Sequence, residues 1–144
     1  MSSPSASRRS AGFSLIEILL VLAILGIISA IAIPSYLGQR HRARVIGDAI
    51  SNARVLQMGL ETLKADTGVY GAANTYTWTA AGLPSDTGPA LLPTFTPKGG
   101  SKVDFRVTIA PGGVVYTLDV FDPTLGNARV YGTNQFGQEL FRWY

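Results

Sequence analysis

The sequence predicts an α+β protein: one long N-terminal helix, apolar in its first half and amphipathic in its second, packed on a four-stranded antiparallel β-sheet. Three observations carry this. Residues 13–33 form a run of 21 residues with a single charge, Glu17. Residues 45–63 repeat apolar side chains at helical spacing, and residues 103–143 alternate apolar with polar side chains between turn sequences. The chain divides accordingly into a polar N-terminal segment (1–12), an apolar helical span (13–34), an amphipathic helix (35–66), a loop-rich connection (67–102) and a sheet (103–144).

Composition sets outer limits. A chain of 144 residues is enough for one domain and too short for two comfortable ones. Its formal charge is +3; without Arg8 and Arg9, ten Lys plus Arg stand against nine acids, a balance that argues against nucleic acid as the main partner. There is no cysteine, which excludes a disulfide framework, a thiolate nucleophile and a Cys-based metal site.

Residues 1–11 are small, polar and basic, with no apolar pattern to bury, and are expected to be disordered. Arg8 and Arg9 place that side of the following span in the cytoplasm. The 21 residues of the span cross a hydrocarbon layer of about 30 Å as a helix. Within it, Glu17 is costly unless paired or neutralised. As an uncleaved signal anchor, the segment would place Glu17 near enough to one end to reach headgroups. Otherwise its partner comes from another molecule or from a newly made amine, because no basic side chain lies within helical reach. A secretory signal peptide cut near Ala32, after Ser29-Ala30-Ile31-Ala32, is a further assignment.

The run Gly12-Phe13-Ser14-Leu15-Ile16-Glu17, with the short basic leader before it and Pro34 after it, resembles the signature of type IV pilins and their pseudopilin relatives. The resemblance covers roughly residues 8–64, and beyond Leu63 it is architectural only. It implies that prepilin peptidase cuts after Gly12 and methylates Phe13, leaving a mature chain of 132 residues from the original 144. The family's acid at the fifth mature position falls on Glu17, and its helix-breaking proline falls on Pro34. Ala11 precedes Gly12 where the family carries Lys or Arg. The resemblance also implies partners: further copies in a helical filament, minor pilins, the inner-membrane assembly machinery, and the membrane that holds the precursor before it reaches the surface.

Gly26 and Pro34 interrupt the apolar half. Proline lacks an amide hydrogen and its ring clashes with the carbonyl four residues back, here Ala30, at about 3 kcal/mol in a regular helix. The resemblance implies that the segment between these two breakers loses helicity in the assembled filament.

After Pro34, Val45, Ala49, Ala53, Leu56, Leu60 and Leu63 recur at spacings of 4, 4, 3, 4 and 3, one face of a helix that ends at Gly68. Arg44, Asp48, Asn52 and Arg54 are expected on the opposite, solvated face, with Arg44 and Asp48 as a weak surface pair. A helix from Phe13 to about Asp66 is roughly 80 Å long, too long to be buried by this chain alone. Arg40, His41, Arg42 and Arg44 read as a solvated collar meeting phospholipid headgroups, with DNA contact as the weaker alternative. His41, the single histidine, has no clustered second ligand.

Residues 69–101 are rich in Gly and Pro; only Thr75-Tyr76-Thr77-Trp78-Thr79 looks extended. Serines and threonines here are open to O-glycosylation, and the chain holds no Asn-x-Ser/Thr sequon. From residue 103 the expected strands are 103–109, 114–121, 128–131 and 139–143. They are joined by turns at Pro111-Gly112-Gly113, at 122–127 and at Asn134-Gln135-Phe136-Gly137. One apolar sheet face needs a cover, and the stripe from Val45 to Leu63 supplies it.

No nucleophile-and-base constellation, phosphate loop or ligand cluster is present in the sequence, so no catalytic, cofactor or metal residue is assigned. Asp119 and Asp122 are too few for calcium, which takes about six to eight oxygens. The expected function is structural: a type IV pilus subunit serving adhesion, motility or DNA uptake. A pseudopilin of a type II secretion system and a signal-anchored periplasmic binding module are the alternatives.

Overall fold

The computed structural model describes residues 12–143; the expected leader, with Arg8 and Arg9, and the C-terminal Tyr144 lie outside the described residues. One helix, α1 (Leu15–Thr67), is followed by five strands: β1 (Thr75–Trp78), β2 (Asp104–Ile109), β3 (Tyr116–Asp122), β4 (Ala128–Asn134) and β5 (Glu139–Arg142). The chain falls into two compact units that meet between Gln39 and Arg40.

In the first unit every residue from Gly12 to Gln39 is exposed. Leu15, Ile16 and Ile31 are each more than 70% open, so the apolar run has no interior of its own. It is long and apolar enough to cross a membrane. Pro34 is accommodated inside α1.

The second unit is a two-layer α+β domain. Its sheet is an antiparallel meander in the order β1-β2-β3-β4-β5. Alternation puts Phe105, Val107, Leu118 and Val120 on one face, where they meet Val45, Ala49, Ala53, Leu56 and Leu60 of α1, all at most 1% exposed. Two alanines in that stripe keep the side chains short enough for close helix–sheet packing. Leu63, the last residue of the expected stripe, is only half-buried.

The sheet has five strands, where four were expected. The extra one is the extended stretch at Thr75, whose alternate side chains Tyr76 and Trp78 are buried; it pairs with β2, Tyr76 opposite Val107 and Trp78 opposite Phe105. The free edge of β2 satisfies its backbone groups, and a strand so far from the others in sequence is hard to assign by local pattern. β4 runs three residues longer than expected, to Asn134. β3 begins at Tyr116, because Val114 and Val115 belong to the preceding turn and are exposed.

Long as it is, the connection between α1 and β2 is tied down by aromatic side chains. Trp78 stacks edge-on with Phe95, and Phe95 with Phe105, both at 5.6 Å between centroids; Tyr70 meets Tyr116 at 4.7 Å. Gly88 is required where the loop crosses Trp78, since a Cβ there would lie 2.1 Å from the indole.

A second correction concerns the face of α1 expected to be solvated. Asn52 is 6% exposed and Asp48 is half-buried, because residues 98–101 pack across them. The Asp48 carboxylate accepts from the Ser101 backbone N–H at 2.9 Å instead of pairing with Arg44.

Candidate functional site

Gly12, Phe13 and Ser14 precede the helix, have no regular secondary structure and are exposed, Phe13 to 79%. A peptide bond in that condition can enter a protease groove without helix unwinding. The helix begins immediately after: the Ser14 carbonyl accepts from the backbone N–H groups of Glu17 at 3.0 Å and Ile18 at 3.3 Å. Ser14 and Glu17 thus stand at the spacing of a capping box. Glu17 occupies the first turn of α1, where the partial positive charge of the helix start favours a carboxylate.

Glu17 has no ion-pair partner among the described residues. Gly26 lies in the exposed run, with open space where a Cβ would project, and Pro34 follows in the same helix. The five residues singled out in the sequence are therefore strung along one continuous segment and not gathered in a pocket. They form a line along one exposed segment, without the convergence of side chains that catalysis needs.

Elsewhere the polar groups serve structure. Asp119 meets Arg129 at 2.5 Å, and Asp122 accepts from the backbone and hydroxyl of Thr124 at 2.8 and 2.6 Å. Both carboxylates considered for calcium are thus engaged, and no group of three or more His, Cys, Asp or Glu side chains occurs among the described residues. The Tyr70 hydroxyl donates to Glu61 at 2.7 Å and accepts from Lys64 at 3.3 Å. Burial, with the Glu61 carboxylate adding to it, pushes the Tyr70 phenol up, and Tyr116 is pushed up to about 12 by burial. A groove lined by Gln57, Tyr116, Tyr131 and Phe136 joins α1 to the β4–β5 end, with no nucleophile and base facing each other.

Arg40, His41, Arg42 and Arg44 are exposed, and the Arg42 guanidinium lies 5.0 Å over the Trp143 ring. The sequence reading did not anticipate that Asn52 and Asp48 fasten the loop at residues 98–101 beside this cluster. The available signal was an Asp and an Asn four residues apart, facing a Gly99-Gly100 pair that permits close approach.

Comparison with known proteins bears on the same segment. The family model described as the prokaryotic N-terminal methylation motif matches residues 7–33. Over 133 residues, 91% of this chain and 79% of the relative, the sequence is 30% identical to type II secretion system core protein G of Aeromonas hydrophila. It is 33% identical to the protein of the same name from Vibrio cholerae over 63 residues, 44% of this chain and 42% of the relative. No solved structure matches the chain significantly. With an exposed apolar helix that begins at a methylation motif, an α+β domain behind it and that extent of likeness, the chain belongs to the family of type II secretion system core protein G, a type IV pilin-like family.

Proposed function

We propose that this chain is a pseudopilin: a structural subunit that is cleaved after Gly12, methylated on Phe13 and assembled into a filament of a type II secretion system. The likeness along 91% of the chain to a secretion-system core protein carries this reading. It favours secretion over the pilus subunit that ranked first on sequence alone.

The mechanism is assembly. The subunit waits in the inner membrane, held by residues 13–33, with the sheet domain outside. Machinery in that membrane then transfers it to the filament base, where the apolar halves of successive copies bundle. Exchanging lipid for other apolar helices gains little from hydrophobicity, so packing and polar pairing set the register. Glu17 supplies the pairing by meeting the N-terminal amine of Phe13 in a neighbouring copy, a charge that exists only after cleavage. Leaving either group unpaired in the filament core costs about 3 to 5 kcal/mol. Gly26 and Pro34 supply the segment that loosens as the helices bundle.

Deleting the gene in a secreting host and complementing it tests this. The native chain restores secreted enzyme in the medium. Glu17→Ala remains in the membrane at native abundance and restores less than about a tenth of it, given the cost of the unpaired amine. Normal secretion without the gene, together with loss of surface pili, would return the pilus reading.

A further inference from the structure

Lys98 and Lys102 are far from the arginine cluster in sequence, yet the fold lays their loop along the same helix, with Lys98 at Asn52, two turns beyond Arg44, and Gly100 beside Arg44 itself. Asn52, buried in α1, donates from Nδ2 to the Lys98 carbonyl and accepts at Oδ1 from the Lys98 N–H at 2.9 Å. Asp48, one turn earlier, accepts from the Ser101 N–H at 2.9 Å. Gly99, at φ 124°, lies so close that a Cβ would stand 2.7 Å from the Asp48 carboxyl carbon. The Arg44 side chain comes within 3.9 Å of where a Cβ of Gly100 would be. Residues 98–102 are thus clamped beside Arg44, with both lysines exposed. The neighbouring acids are turned to backbone: Asp48 to Ser101 and Asp104 to the Ala80 N–H at 2.9 Å.

We propose that residues 40–44 and 98–102 form one basic platform, which binds the phosphate headgroups of anionic lipids in the bilayer that carries the unassembled subunit. Arg40 follows Pro34 by six residues, so it lies within about 20 Å of the end of the apolar run even along a fully extended chain. Orientation does not explain these charges. Cations after the span weaken the bias that Arg8 and Arg9 create before it, so their placement needs another use. Lys98 and Lys102 have no bearing on orientation by sequence position, and the clamp brings them to the same end of the domain. Anionic headgroups are the complementary charge that lies within chain reach of every unassembled copy. This inference rests on the membrane-anchored part of the function proposed above and adds a ligand to it.

The test uses the full chain in nanodiscs of phosphatidylcholine with or without phosphatidylglycerol. Two readouts apply: the anionic fraction of lipid that stays bound through mild detergent extraction, and the acetylation rate of Lys98 and Lys102 read by mass spectrometry. The native chain is expected to retain phosphatidylglycerol preferentially and to show both lysines protected only when that lipid is present. Lys98→Gln/Lys102→Gln lowers the preference roughly tenfold, while Arg54→Gln leaves it unchanged. Equal retention of the two lipids by the native chain, or a preference indifferent to the lysine pair, overturns the proposal. So does lysine protection that arises only on polymerisation and without anionic lipid, which would give the platform to a second copy. The lysine readout on the native chain stands even if the variant folds poorly. Because no filament is needed, a failure here leaves the secretion reading intact, and a failure of complementation leaves the lipid result intact.

Discussion

Asn52 shows how much one side chain decides in this domain. Its carboxamide satisfies both the N–H and the carbonyl of Lys98 and also donates to the Asp48 carbonyl at 2.8 Å, at a site only 6% exposed. Removing it strands two backbone groups of the loop, so Asn52→Ala is expected to lower unfolding stability by about 1 to 3 kcal/mol in denaturant titration. An unchanged midpoint would mean that the loop is held by Phe95 and its aromatic neighbours alone. Asn52 was not legible as buried, because a polar residue one position from the apolar stripe reads as solvated until a partner is known. The motif that holds Gly12, Phe13 and Glu17, which the family model matches over residues 7–33, was legible for the opposite reason. Its meaning lies in local order along the chain, and no tertiary contact is needed to read it.

At the scale of elements, periodicity located the second half of α1 and strands β2 to β4, whose patterns are set by which face is buried, while β5, exposed along its length, was bounded by the turn before it. β1 was legible as an extended stretch but not as a member of the sheet, because its pairing with β2 bridges a connection of 25 residues, from Trp78 to Asp104, and local pattern holds no information about register at that distance. The element packing also bears on pH. Tyr70 and Tyr116 pack against each other where α1 ends and β3 begins, and burial raises both phenols above the ordinary value of 10.0, Tyr116 to about 12. The folded state therefore holds phenolic protons that the unfolded chain has already lost, and stability falls as pH rises through this range. The stabilisation is complete below pH 10, where both states are protonated, and declines between about pH 10 and 12. Phenolate absorbance is expected to show two tyrosines ionising only as circular dichroism reports unfolding. Ionisation of all six tyrosines near 10.0 with the fold intact would contradict the packing.

For the whole molecule, the contrast between the two units carries the functional account. One unit closes a core of its own; the other exposes every residue from Gly12 to Gln39. In the function proposed above, a membrane supplies a partner for the second before assembly, and copies of the same segment supply one after it. The choice between pilus and secretion filament was not legible because both use the same N-terminal device, and the likeness to secretion-system relatives supplies the preference. The central claim is that the device operates, and mass spectrometry of the mature N-terminus tests it most directly. The account predicts a mature chain that begins with N-methylated Phe13. An intact Met1, or a start near Ala32, would contradict it.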